Sequence, residues 1–289
     1  MEKLDSCTLC CNNKFSVIDP ACNICRCETC GYVFDNPRPE SEEIIEYYSK
    51  PMKYESWLVK EDDRNKLWQR RLIKVLAHKK SGTLLDVGAG TGQFLNIAKK
   101  YFTDVYGTEV SESAVHVAHD KYGLELIRSQ IEDADFDAVT FDNICMFHVL
   151  EHVPNPRSVL LKCRDLLAPE GILFIAVPNE IHSLRNIVRR LLNRSGISRI
   201  RYSGVLGIPL ITLDGSLAEI HLSHFSPGVL EDVMAMEGFT ILETGLDPYF
   251  VSSGVGAVID SVYFLFCRVI YMITGLNLYE TMWIVARKQ

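Results

Sequence analysis

The sequence predicts an α/β protein, a sheet with helices on both faces, preceded by a small Cys-rich module and carrying a helical insertion. Three observations predict it. From Ser81 onward, short apolar runs alternate with helical patterns. One of those runs, Leu84-Leu85-Asp86-Val87, enters a glycine-rich turn that opens a helix. Seven of the ten cysteines fall before Gly31.

Composition bounds the function. A chain of 289 residues, 47% hydrophobic and 23% charged, can bury one large core and support a small additional module. A net charge of -7 lacks the basic excess of proteins that bind by neutralising phosphates, which disfavours a nucleic-acid partner. Residues 1–10 have no apolar core, so no secretory signal is read and a cytoplasmic, reducing location is expected.

The first module spans residues 1–38. Cys7-Thr8-Leu9-Cys10 and Cys27-Glu28-Thr29-Cys30 are two Cys-x-x-Cys knuckles, whose four thiolates suit a structural zinc ion in a ribbon. Cys22-x-x-Cys25 competes as the second knuckle, and Cys11 is also extra. Cys27 and Cys30 are preferred because Gly31-Tyr32-Val33-Phe34 supplies a turn and a strand. Asn36-Pro37-Arg38-Pro39 reads as a linker. Residues 39–80 read as a Tyr-rich helical cap, and 81–289 as the main domain, with a long basic insertion over 180–220.

Within the main domain the expected order is strand 83–87, helix from Gly92, strand 105–109, helix 113–122 and a short strand 124–127. Strand 143–147, helix 157–167 and strand 172–177 follow. After the insertion come helix 227–237 and strands 240–243 and 282–286. Alternation of this kind predicts a parallel sheet that binds its ligand at the carboxyl ends of the strands. Ser226-Pro227 reads as an N-cap and first helical residue. The apolar run 262–278 is broken by Arg268, Thr274, Gly275 and Asn277, and is read as a buried helix, not a membrane span.

Gly88, Gly90 and Gly92 let a backbone approach a ligand closely. Asp86, beside them at the strand end, would repel a pyrophosphate but suits the ammonium and sulfonium charges of S-adenosylmethionine (SAM). Glu109 ends the next strand, where an acid can accept bonds from both ribose hydroxyls. On these residues the chain resembles class I SAM-dependent methyltransferases of the ubiquinone-biosynthesis type, across roughly 83–288. The resemblance implies a Rossmann-like seven-stranded sheet, a methionine site at Asp86, Gly88, Gly90 and Gly92, and a ribose site at Glu109. The family's third acidic position falls on Ser129-Gln130, where Gln130 could meet the adenine amino group and Ile131 the ring.

Phe147-His148-Val149-Leu150-Glu151-His152-Val153-Pro154 follows the strand beside the glycine loop. His148-x-x-Glu151-His152 matches an inverted zinc-protease pattern, but Pro154 and Pro156 preclude the long helix that motif needs. The segment is similar to the family's loop, in which an acidic or polar residue precedes Leu-Glu-His and some members bind a divalent metal. Here His148 stands at that first position and is the candidate general base, with Glu151 and His152 either catalytic or pinning the loop. His221 or His224 is a second candidate base, and His221 is also a candidate substrate contact.

Residues 185–201 hold six arginines and no acid. Leu184, Ile187, Val188, Leu191 and Leu192 share one helical face, with Arg185, Arg189 and Arg194 away from it. A lid, a clamp for an anionic substrate through Arg185 and Arg189, and a contact with the inner face of an anionic membrane all fit this pattern. Cys30-Gly31-Tyr32-Val33-Phe34, Pro37-Arg38-Pro39 and Tyr47-Tyr48 also resemble the opening of zinc-ribbon methyltransferases of sugar and surface-glycan pathways. That resemblance implies O-methylation of a sugar-like acceptor, a nucleotide sugar or lipid-linked glycan. The alternatives are an RNA methyltransferase, a small-molecule (quinone or phenol) O-methyltransferase, and a SAM-binding protein without catalysis.

Overall fold

The computed structural model describes residues 1–49, 61–79, 81–194, 204–215, 217, 219–249 and 254–289. Arg199, Arg201 and Ala218 therefore lie outside the described residues. The main sheet has the order β5-β4-β6-β7-β10-β9, formed by β4 (Thr83–Val87), β5 (Asp104–Thr108), β6 (Phe141–Phe147), β7 (Leu167–Pro178), β9 (Phe239–Leu246) and β10 (Thr281–Lys288).

Two expectations about this sheet are corrected. The first four strands run parallel, but β10 pairs antiparallel with both β7 and β9, so the sheet is mixed. The expected strand at 124–127 is reduced to a single parallel bridge between Thr108 and Ile127. Only a few residues separate the left-handed Gly123 that caps the preceding helix from the turns after Ser129, which leaves no length for a longer ladder.

The helices follow their local signals. In chain order they are α1 (Ser41–Tyr48), α2 (Glu61–His78), α3 (Gln93–Ala98), α4 (Glu112–Tyr122), α5 (Pro156–Leu166), α6 (Leu184–Arg194), α7 (Pro227–Met236) and α8 (Gly254–Thr274). Ser111 caps α4 by accepting from the Ala114 amide, and Asn155 caps α5 in front of Pro156. Ser226 holds the N-cap position of α7 without a side-chain cap bond. Leu85, Val87, Ile144, Met146 and Ile175 fill the core on one face of the sheet, and Leu84, Cys145, Phe174 and Val285 fill it on the other.

The N-terminal ribbon is fused to this body. Its strands β1 (Phe15–Asp19), β2 (Ile24–Cys27) and β3 (Val33–Asp35) form an antiparallel sheet whose fourth strand, β8 (Ser223–His224), comes from just after the insertion. The Tyr32 and Ser223 hydroxyls are hydrogen-bonded, and the Tyr32 ring stacks on Phe34 and lies 5.6 Å from Phe225. Tyr32 and Phe34 are fully buried, in a cluster that also contains Leu230 and Val233 of α7. At about 1.5–3 kcal/mol per buried aromatic side chain, this contact couples the ribbon's folding to that of the sheet.

A third expectation also fails. The apolar run after β9 forms α8, but of its residues only Cys267 is buried. The helix rests on Leu246 and Tyr279 through Tyr263, Phe264, Cys267 and Tyr271, and exposes Val258, Ile259, Val262, Leu265, Phe266 and Val269.

Candidate active site

The carboxyl ends of β4, β5 and β6 open onto a cavity of about 400 Å³. Asp86, Gly88, Gly90, Glu109, Gln130 and Ile131 line one end, while Tyr48, Arg64, Trp68, Arg71, His148, His152, Glu219 and Tyr249 line the rest. Gly88 has φ +68, and a Cβ there would come within 2.5 Å of Val149, so the loop closes on the β6 side only because the residue is glycine. Gly92 does different work from the ligand approach expected of it. It does not line the cavity, and a Cβ would strike Leu124 and Ala118, so its bareness lets α3 and α4 pack.

The two acids divide the cofactor end. Glu109 accepts from the Gly90 amide through Oε2 and from the Ser111 amide through Oε1, both at 2.8 Å, so it braces the glycine loop. The Val110 amide also faces the carboxylate, which leaves one acceptor direction for a ribose hydroxyl. Asp86 is 4% exposed, and burial pushes its carboxyl well above the usual range, an effect that Arg71 opposes and Glu109 reinforces. A buried acid in that condition is suited to a cationic partner, and the glycine cradle and acid pair therefore fit SAM.

His148 follows β6 with φ +59, a left-handed conformation uncommon for a side-chain-bearing residue and found where a backbone is over-determined around a site. Its amide donates to the Ala176 carbonyl, its Nδ1 lies 3.2 Å from Glu151 Oε1, and its Nε2 lies 3.9 Å from Asp247 Oδ2. Burial disfavours the imidazolium, but Asp247 and Glu151 outweigh it and raise the pKa above the ordinary value. Tyr249 packs on the ring at 4.5 Å.

Glu151, His152 and His221 each bring one ligand atom within 4.8 Å of the others. Glu151 is fully buried with Oε2 unpartnered, and the Nε2 of His221 also lacks a hydrogen bond. The Nδ1 atoms of His152 and His221 are engaged by the Ile220 carbonyl and by Glu180, which turns their Nε2 atoms toward the cluster. This donor set fits a divalent ion.

The other predicted residues lie elsewhere. His224 is not a base at this cavity: it is fully buried, with Nδ1 on Glu180 and Nε2 on Asp35, and burial notwithstanding these two carboxylates raise its pKa to about 9. His221 stands behind the cavity wall, its ring 4.8 Å from that of His152 and its Nδ1 on Glu180. Arg185 and Arg189 do not line the cavity. Arg185 pairs with Asp260 and Glu280, and Arg189 donates to the Gly207 carbonyl, so they brace the insertion. No clamp at this site is formed by them.

Sequence reading missed the helical wall. Arg64, Trp68 and Arg71 share one face of α2 at spacings of four and three, a polar and aromatic stripe where a core helix would carry aliphatics. Arg71 is sandwiched by Trp68, Phe147 and Tyr249 and paired with buried Asp247. Asp247 and Glu180 each follow the carboxyl end of a strand, which is the signal that could have found them.

In the ribbon, Cys7, Cys10, Cys27 and Cys30 come together as expected, with Sγ pairs 3.7 Å (Cys7, Cys30) and 3.5 Å (Cys10, Cys27) apart. A tetrahedron with zinc–sulfur bonds of ~2.3 Å has edges of about 3.8 Å. Cys22 and Cys25 lie outside this cluster, in contact with the Gly204 amide and the Asn36 carbonyl.

Residues 61–244 match the family model described as "Methyltransferase domain". The chain belongs to this family and is a class I SAM-dependent methyltransferase. The ubiquinone biosynthesis O-methyltransferase of Coxiella burnetii is 36% identical over 101 residues, which are 33% of this chain and 43% of that protein. The match thus spans less than half of that relative. Two solved structures share the fold. A SAM-dependent methyltransferase of Thermotoga maritima superposes with a TM-score of 0.54 at 16% identity, covering 85% of this chain and all of the other. The magnesium protoporphyrin IX methyltransferase of Synechocystis with bound SAM superposes at 0.51 and 12% identity, covering 88% and 100%.

Proposed function

We propose that this methyltransferase O-methylates a hydroxyl of a sugar-like acceptor, with His148 as the general base. The carrying observation is the pair His148–Glu151. Buried Glu151 holds Nδ1 of His148, and Nε2, on a ring that lines the cavity, has no hydrogen-bond partner. A carboxylate on one ring nitrogen fixes the tautomer so that the other can accept a proton.

When bound, SAM supplies an electrophilic methyl that passes to the acceptor oxygen while the bonding electrons stay on sulfur. Asp86 and the Gly88–Gly90 backbone orient the methionine end, Glu109 the ribose, and Gln130 with Ile131 the adenine. Nε2 of His148 takes the hydroxyl proton as the oxygen attacks. Trp68, Arg64 and Tyr249 wall the acceptor end, and Glu219 offers a polar contact to its other hydroxyls. Glu151, His152 and His221 would hold a divalent ion, which would polarise the acceptor oxygen. Cys7, Cys10, Cys27 and Cys30 would hold a structural zinc, which leaves no open position for chemistry.

A phenolic acceptor is the second reading, favoured by the name of the Coxiella relative and by the apolar Ile44, Phe147, Val153 and Leu217 in the same wall. Incubation with methyl-labelled SAM and fractionated cell extract separates the two. Label in nucleotide sugars or lipid-linked glycans supports the first, label in small phenols the second, and label in RNA alone contradicts both.

A further inference from the structure

Among the described residues, nothing covers the outward face of α8. Val262, Leu265, Phe266 and Val269 are 63, 59, 52 and 46% exposed, and α6 adds exposed Val188 and Leu191. The α8 side chains follow one another at helical spacing, and an exposed apolar stripe of that kind marks an interaction site, not a scatter of single side chains. The two helices are tied together: Arg185 of α6 pairs with Asp260 of α8 at 2.9 Å and lies over the Tyr263 ring.

Alone among the helices, α8 has the length and hydropathy to cross a bilayer among the described residues. Its attachment argues against crossing. Tyr263, Phe264, Cys267 and Tyr271 anchor the middle of the helix to Leu246 and Tyr279, and both ends return to β9 and β10, which are hydrogen-bonded neighbours. A helix of 21 residues, about 31 Å long, held along its length lies flat on whatever covers it.

Charge selects the occupant. α6 carries four arginines and no acid; Arg185 is paired with Asp260 of α8 and with Glu280, whereas Arg189 and Arg190 donate to backbone carbonyls and keep their charge. Arg268 of α8 is exposed and borders a cavity of about 520 Å³ also lined by Arg70, while the two other cations there, Arg71 and Lys74, are paired with Asp247 and Glu243. In a chain of net charge -7, cations beside an apolar face are a local reversal. Facing a second copy of itself, this surface would set arginines near arginines; facing phosphate headgroups, it is complementary.

We propose that α6 and α8 seat the protein in the plane of an anionic lipid bilayer, with the apolar face of α8 in the boundary between headgroups and acyl chains. The placement does not depend on which acceptor is methylated.

Vesicle flotation tests it, using pure phosphatidylcholine and an equimolar mixture with phosphatidylglycerol. The full chain is expected to float with the anionic vesicles at least about tenfold more strongly than with neutral ones, and to lose that excess in high salt. Arg189→Gln with Arg268→Gln should weaken anionic binding severalfold. V262Q/L265Q/F266Q/V269Q should abolish it while S-adenosylhomocysteine still raises the Tm. Should that variant misfold, Phe266→Trp provides a second readout, its added emission quenched by brominated acyl chains. Absence of flotation, equal binding to both vesicles, no quenching of the Phe266→Trp variant beyond that of the wild type, or a stable dimer of the wild type that the four substitutions render monomeric and that does not float would each overturn the proposal.

Discussion

Nδ1 of His148 lies 3.2 Å from Oε1 of Glu151, a carboxylate with no solvent exposure, across a turn that the left-handed backbone of His148 creates. Burial alone would raise the Glu151 pKa, but His148 and His152 lower it, so the carboxylate is ionised and orients the ring. His148→Ala should cut turnover by about 10²–10⁴-fold while affinity for S-adenosylhomocysteine changes little. Glu151→Gln should lower kcat more than KM. Turnover near that of the wild type in His148→Ala would remove the base from the mechanism, and steady-state kinetics with calorimetry read both effects.

Asp86 trades stability for binding. Its pKa is raised by burial, so the folded protein without cofactor favours the protonated acid, and the stability this confers is present at low pH and lost as pH rises through the raised value. Asp86→Asn should therefore raise the Tm of the cofactor-free protein at neutral pH, by about 2–4 °C for each kcal/mol of relief. It should also weaken SAM binding at least about tenfold. In the wild type SAM affinity should climb with pH across the Asp86 titration, and calorimetry over a pH series checks the sign.

Arg71 and Asp247 are 3% and 5% exposed and form a buried ion pair walled by Trp68, Phe147 and Tyr249. Burial would raise the Asp247 pKa, but Arg71 holds it down at about 2. Arg71→Met leaves a buried carboxylate without its cation and should cost about 3–5 kcal/mol in urea unfolding. Adding Asp247→Asn should recover much of that loss. A double-variant loss equal to the sum of the Arg71→Met and Asp247→Asn losses would show that the pair is not energetically coupled.

The ribbon should hold one zinc ion per chain, measured by elemental analysis. Because Tyr32 and Phe34 share their core with α7, chelation or Cys10→Ser should lower the Tm of the whole protein and not release a separate early transition. A main transition unchanged by chelation would show that the ribbon and the sheet fold independently.

Local chemistry was legible in the sequence. The strand, turn, helix and second-strand acid around Asp86, Gly88 and Glu109 are all short-range signals, as are the two cysteine knuckles. What the sequence did not show depends on distant partners. The reversal of β10 and the pairing of β8 with β3 are long-range choices, Asp247 reaches Arg71 across 176 positions, and Glu180 reaches His224 across 44. The same reason explains the misread histidine: His224 follows the pattern of a candidate base, and only the position of Asp35 and Glu180 shows both of its nitrogens engaged. The arginines of α6 suggested an anion clamp because composition carries no information on which way a lid faces. α8 was read as buried because apolar content implies burial in most helices.

The most direct test is a crystal structure with S-adenosylhomocysteine. The ribose should lie on Glu109, the adenine beside Gln130 and Ile131, and the sulfur should face the part of the cavity bounded by His148. Density for the ligand outside this cavity, or a sulfur directed away from His148, would contradict the account.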